Sequence, residues 1–281
     1  MSRKPTVSRL LPRSFAGTTA LVTGASSGVG RAVALELARR GARVLATARR
    51  GDRLSAVAAE AAGFAAHQVL VEAGDITAPE FRARLVGAAA SAWGGLDIVV
   101  AAAGSGAAGL FADASPATLT RILDVDFVAP AELVRASLPL LRASADPGVV
   151  LVGSILGLHP LPEHAEYCAA KAALRSLAGS LRVELAADGI QVLLASLGPT
   201  ESEFWDSLLA GRRPTWSRGR PMPAARAARL VVRALAHRRR EVLPGWQAKG
   251  YALAARLFPR VIDRAMMTKL RRLQRSSTSR P

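Results

Sequence analysis

A single cysteine, Cys168, stands in 281 residues, which excludes an internal disulfide and any cysteine-rich metal site. The four histidines (His67, His159, His164, His237) show no His-x-x-x-His spacing, so no metal is expected. No run approaches the ~18 apolar residues of a membrane span. The N-terminus is basic but lacks the apolar stretch of a signal peptide, and the cytoplasm is the expected address. Acidic residues are scarce at the other end. Residues 1–211 hold 19 Lys+Arg and 19 Asp+Glu, whereas residues 212–281 hold 19 Lys+Arg against only Glu241 and Asp263. The whole net charge of +17 therefore sits in the last quarter.

Half of the residues are hydrophobic, enough for one large core. Short β-branched runs alternate with alanine- and leucine-rich helical patterns. Strands are expected at Thr18–Thr23, Arg43–Thr47, Ala66–Val71, Asp97–Ala101, Val149–Gly153, Ile190–Ala195 and Glu241–Leu243. Helices are expected at Val29–Arg40, Asp52–Ala62, Pro79–Trp93, Pro116–Arg142, His164–Ala187, Glu203–Ala210 and Ala224–His237. Strands separated by helices of this length indicate β-α-β units and a doubly wound parallel sheet. Residues 1–14 and 275–281 read as disordered ends, 15–245 as one α/β domain, and 246–281 as a basic extension.

Two local patterns carry chemistry. Thr23-Gly24-Ala25-Ser26-Ser27-Gly28-Val29-Gly30 follows the first strand and opens the first helix. Glycines there let backbone N–H groups approach phosphates at a helix N-terminus. Tyr167 and Lys171 are four residues apart on a helix and share a face. A free phenol titrates near ~10; a nearby ammonium favours the phenolate and draws that value towards the working range. Ser154 lies 13 residues before the tyrosine and can offer a hydroxyl to the same reacting oxygen.

Together these motifs resemble the short-chain dehydrogenase/reductase family over about residues 16–243. The resemblance implies a Rossmann-type fold of about seven parallel strands, a nicotinamide cofactor, and interconversion of a carbonyl and an alcohol. It implies Tyr167 as general acid or base, Lys171 as its tuner and a holder of the nicotinamide ribose, and Ser154 as the group that polarises the substrate oxygen. Gly24, Ser26, Ser27, Gly28, Val29 and Gly30 are the expected phosphate turn. Arg49 sits where NADP(H)-preferring members carry arginine, with Arg50 beside it, so NADP(H) is the expected cofactor. Asp75 and Ile76 match the segment that closes on adenine. Ala102 and Gly104 belong to the cofactor floor, and Gly198, Thr200 and Ser202 to the segment over the nicotinamide. Cys168 is expected to be a packing residue.

The sequence departs from the family at two points. Ala101-Ala102-Ala103-Gly104 replaces Asn-Asn-Ala-Gly, losing side-chain amides that tie the sheet together. Asp126 replaces an asparagine of the proton relay, and an aspartate there can pair with Lys171. These departures support a rival reading, a catalytically weak nucleotide-binding regulator or scaffold. Phe204, Trp205, Leu208, Leu209, Trp216 and Met222 follow the sixth strand where the family covers its substrate, which points to an apolar ketone or aldehyde. The family also implies a homo-oligomer. In the tail, Arg256, Arg260 and Arg264 share one helix face and Leu253, Leu257 and Val261 another, with Pro259 breaking the helix. Such a helix suits an anionic membrane, an acidic carrier protein or another subunit; nucleic acid fits poorly, since no reading motif accompanies the charge.

Overall fold

The structure, a computed structural model, describes residues 11–64, 69–206, 208–211 and 220–278. Seven strands form one parallel sheet: β1 (Thr19–Thr23), β2 (Arg43–Ala48), β3 (Val69–Ala73), β4 (Ile98–Ala101), β5 (Gly148–Ser154), β6 (Gln191–Leu197) and β7 (Glu241–Val242). Their spatial order is β3-β2-β1-β4-β5-β6-β7. The order reverses between β1 and β4, which opens a crevice beyond the carboxyl ends of these strands.

The helices are α1 (Gly28–Arg39), α2 (Gly51–Ala61), α3 (Pro79–Trp93), α4 (Pro116–Leu123), α5 (Ala129–Ala143), α6 (Ala165–Glu184), α7 (Ala224–Ala236), α8 (Trp246–Leu257) and α9 (Pro259–Thr278). The central strands are buried on both faces, so alternate residues feed two cores. Val22, Val44, Ile98 and Val100 pack on one side with Val33 and Leu37 of α1 and Val231 of α7. Leu21, Leu45, Val99 and Leu151 pack on the other with Leu85 of α3, Leu133 of α5 and Leu174 of α6.

The long helix expected from Pro116 is two helices joined by a π-helical turn, Asp124–Val128. Pro130 has no N–H to give the Asp126 carbonyl, so the α-helical ladder cannot run on. The Ala129 N–H instead reaches back five residues to the Asp124 carbonyl. The helix expected over Glu203–Ala210 reduces to one 3-10 turn, Glu203–Trp205. Beyond it the backbone pairs outward: the Leu209 N–H donates to the Gly106 carbonyl at 2.8 Å, and the Ala108 N–H to Ala210 at 3.0 Å. Trp216 lies outside the described residues.

The expected disordered stretch 1–14 ends too late. Arg13 has a fully buried side chain. Its guanidinium makes two bonds to Asp146, at 2.8 and 3.0 Å, and a third to the Pro147 carbonyl at 3.0 Å. Its own N–H donates to Ala236 at 2.8 Å. A bidentate carboxylate far along the chain therefore pins Arg13 beside the start of β5. At the other end, α9 runs to Thr278, past the expected boundary. Residues 1–10 and 279–281 lie outside the described residues.

Asp146 keeps a second partner in Arg238 at 2.9 Å, so losing Arg13 strands no lone carboxylate. Arg13→Ala should therefore cost about 1.5–3 kcal/mol, the range for hydrogen bonds to charged groups. A denaturant titration checks this; an unchanged midpoint would contradict it.

Candidate active site

The turn between β1 and α1 depends on backbone lying against backbone. A Cβ on Gly30 would come 2.3 Å from the Gly24 carbonyl oxygen, and one on Gly24 2.7 Å from that of Ala102. Gly24 also has φ +67°, a conformation that favours glycine. Ser27, the N-cap residue of α1, makes no side-chain capping bond to the first-turn N–H groups, and Gly28, Val29 and Gly30 of that turn line the crevice. This is the environment that a pyrophosphate requires.

The crevice is a cavity of about 850 Å³. Every residue assigned from the sequence to cofactor or chemistry lines it, from Gly24, Ser26, Ser27, Gly28, Val29 and Gly30 through Arg49, Arg50, Asp75 and Ile76 to Gly198, Thr200 and Ser202. Ala102, Gly104, Asp126, Ser154, Tyr167 and Lys171 line the same cavity. The residues present thus fit a dinucleotide laid along the strand ends.

After β4, where side-chain amides are missing, the backbone itself is held. The Thr23 hydroxyl oxygen accepts the N–H groups of Ala102 and Ala103, each at 3.0 Å. These bonds tie β1 to the β4 loop without asparagine.

At the end of β2, Arg49 is exposed and lines the cavity. Arg50 bonds the hydroxyls of Ser26 and Ser27, at 3.2 and 2.9 Å, and Glu203 at 2.6 Å. Arg53 also bonds Glu203. Glu203 was not assigned from the sequence. Its position between two arginines is a contact across 150 residues, and no local pattern announces it. Asp75 is already engaged within the protein. One oxygen accepts from the Thr77 N–H at 2.9 Å and hydroxyl at 2.8 Å, and the other pairs with Arg121 at 2.7 Å. Burial works against its charge, but Arg121 and Thr77 outweigh it and hold the carboxyl down at about 2.

The side chains expected to be catalytic come from three places: Ser154 at the end of β5, Tyr167 and Lys171 on α6, and Asp126 in the π-helical turn. Lys171 Nζ lies 3.0 Å from Asp126 Oδ1, with side-chain exposures of 6% and 0%. It also donates to the Val152 carbonyl at 3.0 Å. The other carboxylate oxygen, Oδ2, accepts from the Ser105 N–H at 2.9 Å and its hydroxyl at 3.1 Å. Ser105 too escaped the sequence reading, although a buried aspartate needs a donor and Ser105 follows the glycine that makes room. A Cβ on Gly104 would come 2.9 Å from Asp126 Oδ1.

Tyr167 corrects an expectation. Its phenol is pushed above its ordinary value, because burial outweighs the pull of the Lys171 ammonium. The Asp126 carboxylate pushes the same way as burial, while the Ser154 hydroxyl favours the phenolate. Burial also opposes the Lys171 charge, yet Asp126 and Tyr167 hold that ammonium above the usual lysine value. The aspartate thus offsets the charge that was expected to acidify the tyrosine. Phe204 meets the Tyr167 ring edge-on at 5.3 Å, and Trp205 meets Phe204 at 5.2 Å. Cys168 is buried and its thiol is pushed up by burial, as suits a packing residue.

Comparison with known proteins agrees with this geometry. The family model for short chain dehydrogenase matches residues 18–213. An uncharacterized oxidoreductase of Myxococcus xanthus is 34% identical over 259 residues, covering 90% of this chain and 97% of that protein. A hydroxysteroid 11-beta-dehydrogenase 1-like protein of Xenopus tropicalis is 30% identical over 254 residues, covering 90% of this chain and 87% of its own. A crystal structure of a short-chain dehydrogenase from Streptomyces avermitilis superposes with a TM-score of 0.77 at 26% identity, covering 93% of this chain and 99% of that one. With a glycine turn, a Ser–Tyr–Lys set and a seven-stranded parallel sheet meeting at one cavity, the chain belongs to the short-chain dehydrogenase/reductase family of nicotinamide-dependent oxidoreductases.

Proposed function

We propose that the protein is an NADP(H)-dependent reductase of an apolar ketone or aldehyde. The geometry that carries the reading is Tyr167 placed beside the buried Lys171–Asp126 pair in the cavity, with burial holding its phenol above the ordinary value. Reduction of a carbonyl needs a proton donor, and a phenol that keeps its proton through neutral pH is in the required state. Reduced nicotinamide supplies the hydride when bound. Ser154 faces the same oxygen and steadies it while Tyr167 gives up its proton. The Lys171 ammonium then stabilises the phenolate left behind.

Two observations support NADP(H). Arg49 is exposed at the β2 end, where an acidic residue would be needed to hold a free ribose 2′-hydroxyl. Arg50 already gathers the hydroxyls of Ser26 and Ser27 and, with Arg53, grips both oxygens of Glu203. A 2′-phosphate offers the same arginines a more highly charged set of oxygens. An apolar substrate is supported by the other end of the cavity, where Ile155, Leu156, Leu161, Phe204, Trp205 and Leu209 form the wall. The Xenopus tropicalis relative is named for a hydroxysteroid, an apolar alcohol. Against the rival reading as a weak regulator, the Thr23 hydroxyl still ties the backbone of Ala102 and Ala103 to β1 in the absence of side-chain amides.

NADPH should bind more tightly than NADH, and Arg49→Asp should reverse the order. The expected change in the ratio is roughly tenfold to a hundredfold, the worth of one or two charge-assisted hydrogen bonds. Equal or tighter NADH binding by the wild type would refute the cofactor assignment. With NADPH and a panel of ketones and aldehydes, reduction should hold steady through neutral pH. It should be lost as pH rises through the raised value of the Tyr167 phenol, since the donor must be protonated. Tyr167→Phe should lower turnover by roughly 10²- to 10⁴-fold, and undiminished turnover would overturn the mechanism.

A further inference from the structure

The outer side of α8 and α9 carries apolar side chains that the fold leaves in water. Trp246 is 81% exposed, and Leu253, Leu257, Phe258 and Val261 are each 58–62% exposed. On α8, Trp246, Leu253 and Leu257 stand at i, i+7 and i+11, which is one stripe. Exposed Lys249, Arg256, Arg260 and Arg264 flank it, each three residues on from Trp246, Leu253, Leu257 and Val261, and exposed Lys269 and Arg271 follow along α9. The one acidic residue in the described stretch from Trp246 to Arg271 is Asp263, and its carboxylate approaches His159 Nε2 at 3.4 Å.

The helices are anchored to the body. Ala248 and Ala255 are buried. The Tyr251 hydroxyl donates to the His159 carbonyl at 3.3 Å, and its ring meets His159 edge-on at 6.1 Å. Ala248 packs over Gly198, its Cβ 3.3 Å from where a Cβ on Gly198 would lie. Gly198 lines the reaction cavity. The outer face is therefore a fixed surface on the far side of a cavity wall.

We propose that this outer face of α8 and α9 is a docking surface for an anionic lipid bilayer. An exposed apolar stripe ringed by cations is stable where apolar groups can enter the acyl boundary while the cations stay among lipid phosphates. Charge complementarity decides between occupants. A second copy of this chain would set the same arginines against each other, whereas an anionic leaflet attracts each one. Among the described residues no helix is long and apolar enough to cross a membrane, so the contact is interfacial. Docking in this way brings the wall at Gly198 to the lipid surface. Such a contact is independent of which cofactor form or substrate the enzyme uses.

Flotation of the full chain with vesicles tests it. The protein should float with mixed phosphatidylglycerol and phosphatidylcholine vesicles, less so as salt is raised, and not with phosphatidylcholine alone. The triple variants Leu253→Gln/Leu257→Gln/Phe258→Gln and Arg256→Glu/Arg260→Glu/Arg264→Glu should each lower partitioning at least roughly tenfold. Both change outward-facing positions, so their melting temperatures should match the wild type. Absence of flotation on anionic vesicles overturns the proposal. So does wild-type binding by the folded apolar variant. A dimer in sedimentation that this variant dissociates overturns it as well, by assigning the face to a second copy.

Discussion

An ammonium and a carboxylate lie 3.0 Å apart in the interior, and the rest of the site is arranged around that pair. Taking two charges out of water costs several kcal/mol per ion unless geometry and hydrogen bonds compensate. Here each charge has more than its partner. Lys171 also bonds Val152 at the end of the central sheet, and Asp126 accepts two bonds from Ser105. The π-helical turn carries Asp126 and the glycine at 104 leaves room for it. Strand, turn and helix α6 are thereby locked at one point, which is also where the proposed chemistry lies.

The pair bears on function through the neighbouring phenol. An unpaired lysine beside Tyr167 would favour the phenolate. Asp126 offsets that charge, burial disfavours the phenolate further, and the phenol keeps its proton above the ordinary range. The substitution of aspartate for the family's asparagine is thus an electrostatic change as well as a change of hydrogen-bonding group. It favours a site that donates protons. The arginines at the other end of the cavity and the apolar wall around Phe204 are what the proposed NADP(H)-dependent use of an apolar substrate would need.

Much of this was legible in the sequence because its causes are local. The alternation of strand and helix patterns follows from side-chain period, and the expected strands lie within a few residues of the observed ones. The glycine turn and the Tyr167–Lys171 spacing are short-range geometry, so they placed both halves of the cavity. What the sequence could not show depends on partners far along the chain. Arg13 is ordered by Asp146, Arg50 and Arg53 meet Glu203, and Ser105 supports Asp126. The helix expected after Ser202 gave way to backbone pairing with Gly106 and Ala108. The sign of the Tyr167 shift was also hidden, because burial is set by the whole fold and it outweighed the one charge that the motif displays.

The central claim is that Asp126 and burial together keep Tyr167 protonated. The chain has only two tyrosines, and the other, Tyr251, is pushed up to about 12. Ultraviolet titration of phenolate in a Tyr251→Phe background therefore reads Tyr167 directly. The account predicts that Tyr167 ionises above the ordinary phenol range, and that adding Asp126→Asn moves its ionisation to lower pH. Lys171 remains held by Val152 in that variant, so its charge then acts unopposed. Identical titrations with and without Asp126, or ionisation at higher pH in the variant, would contradict the account.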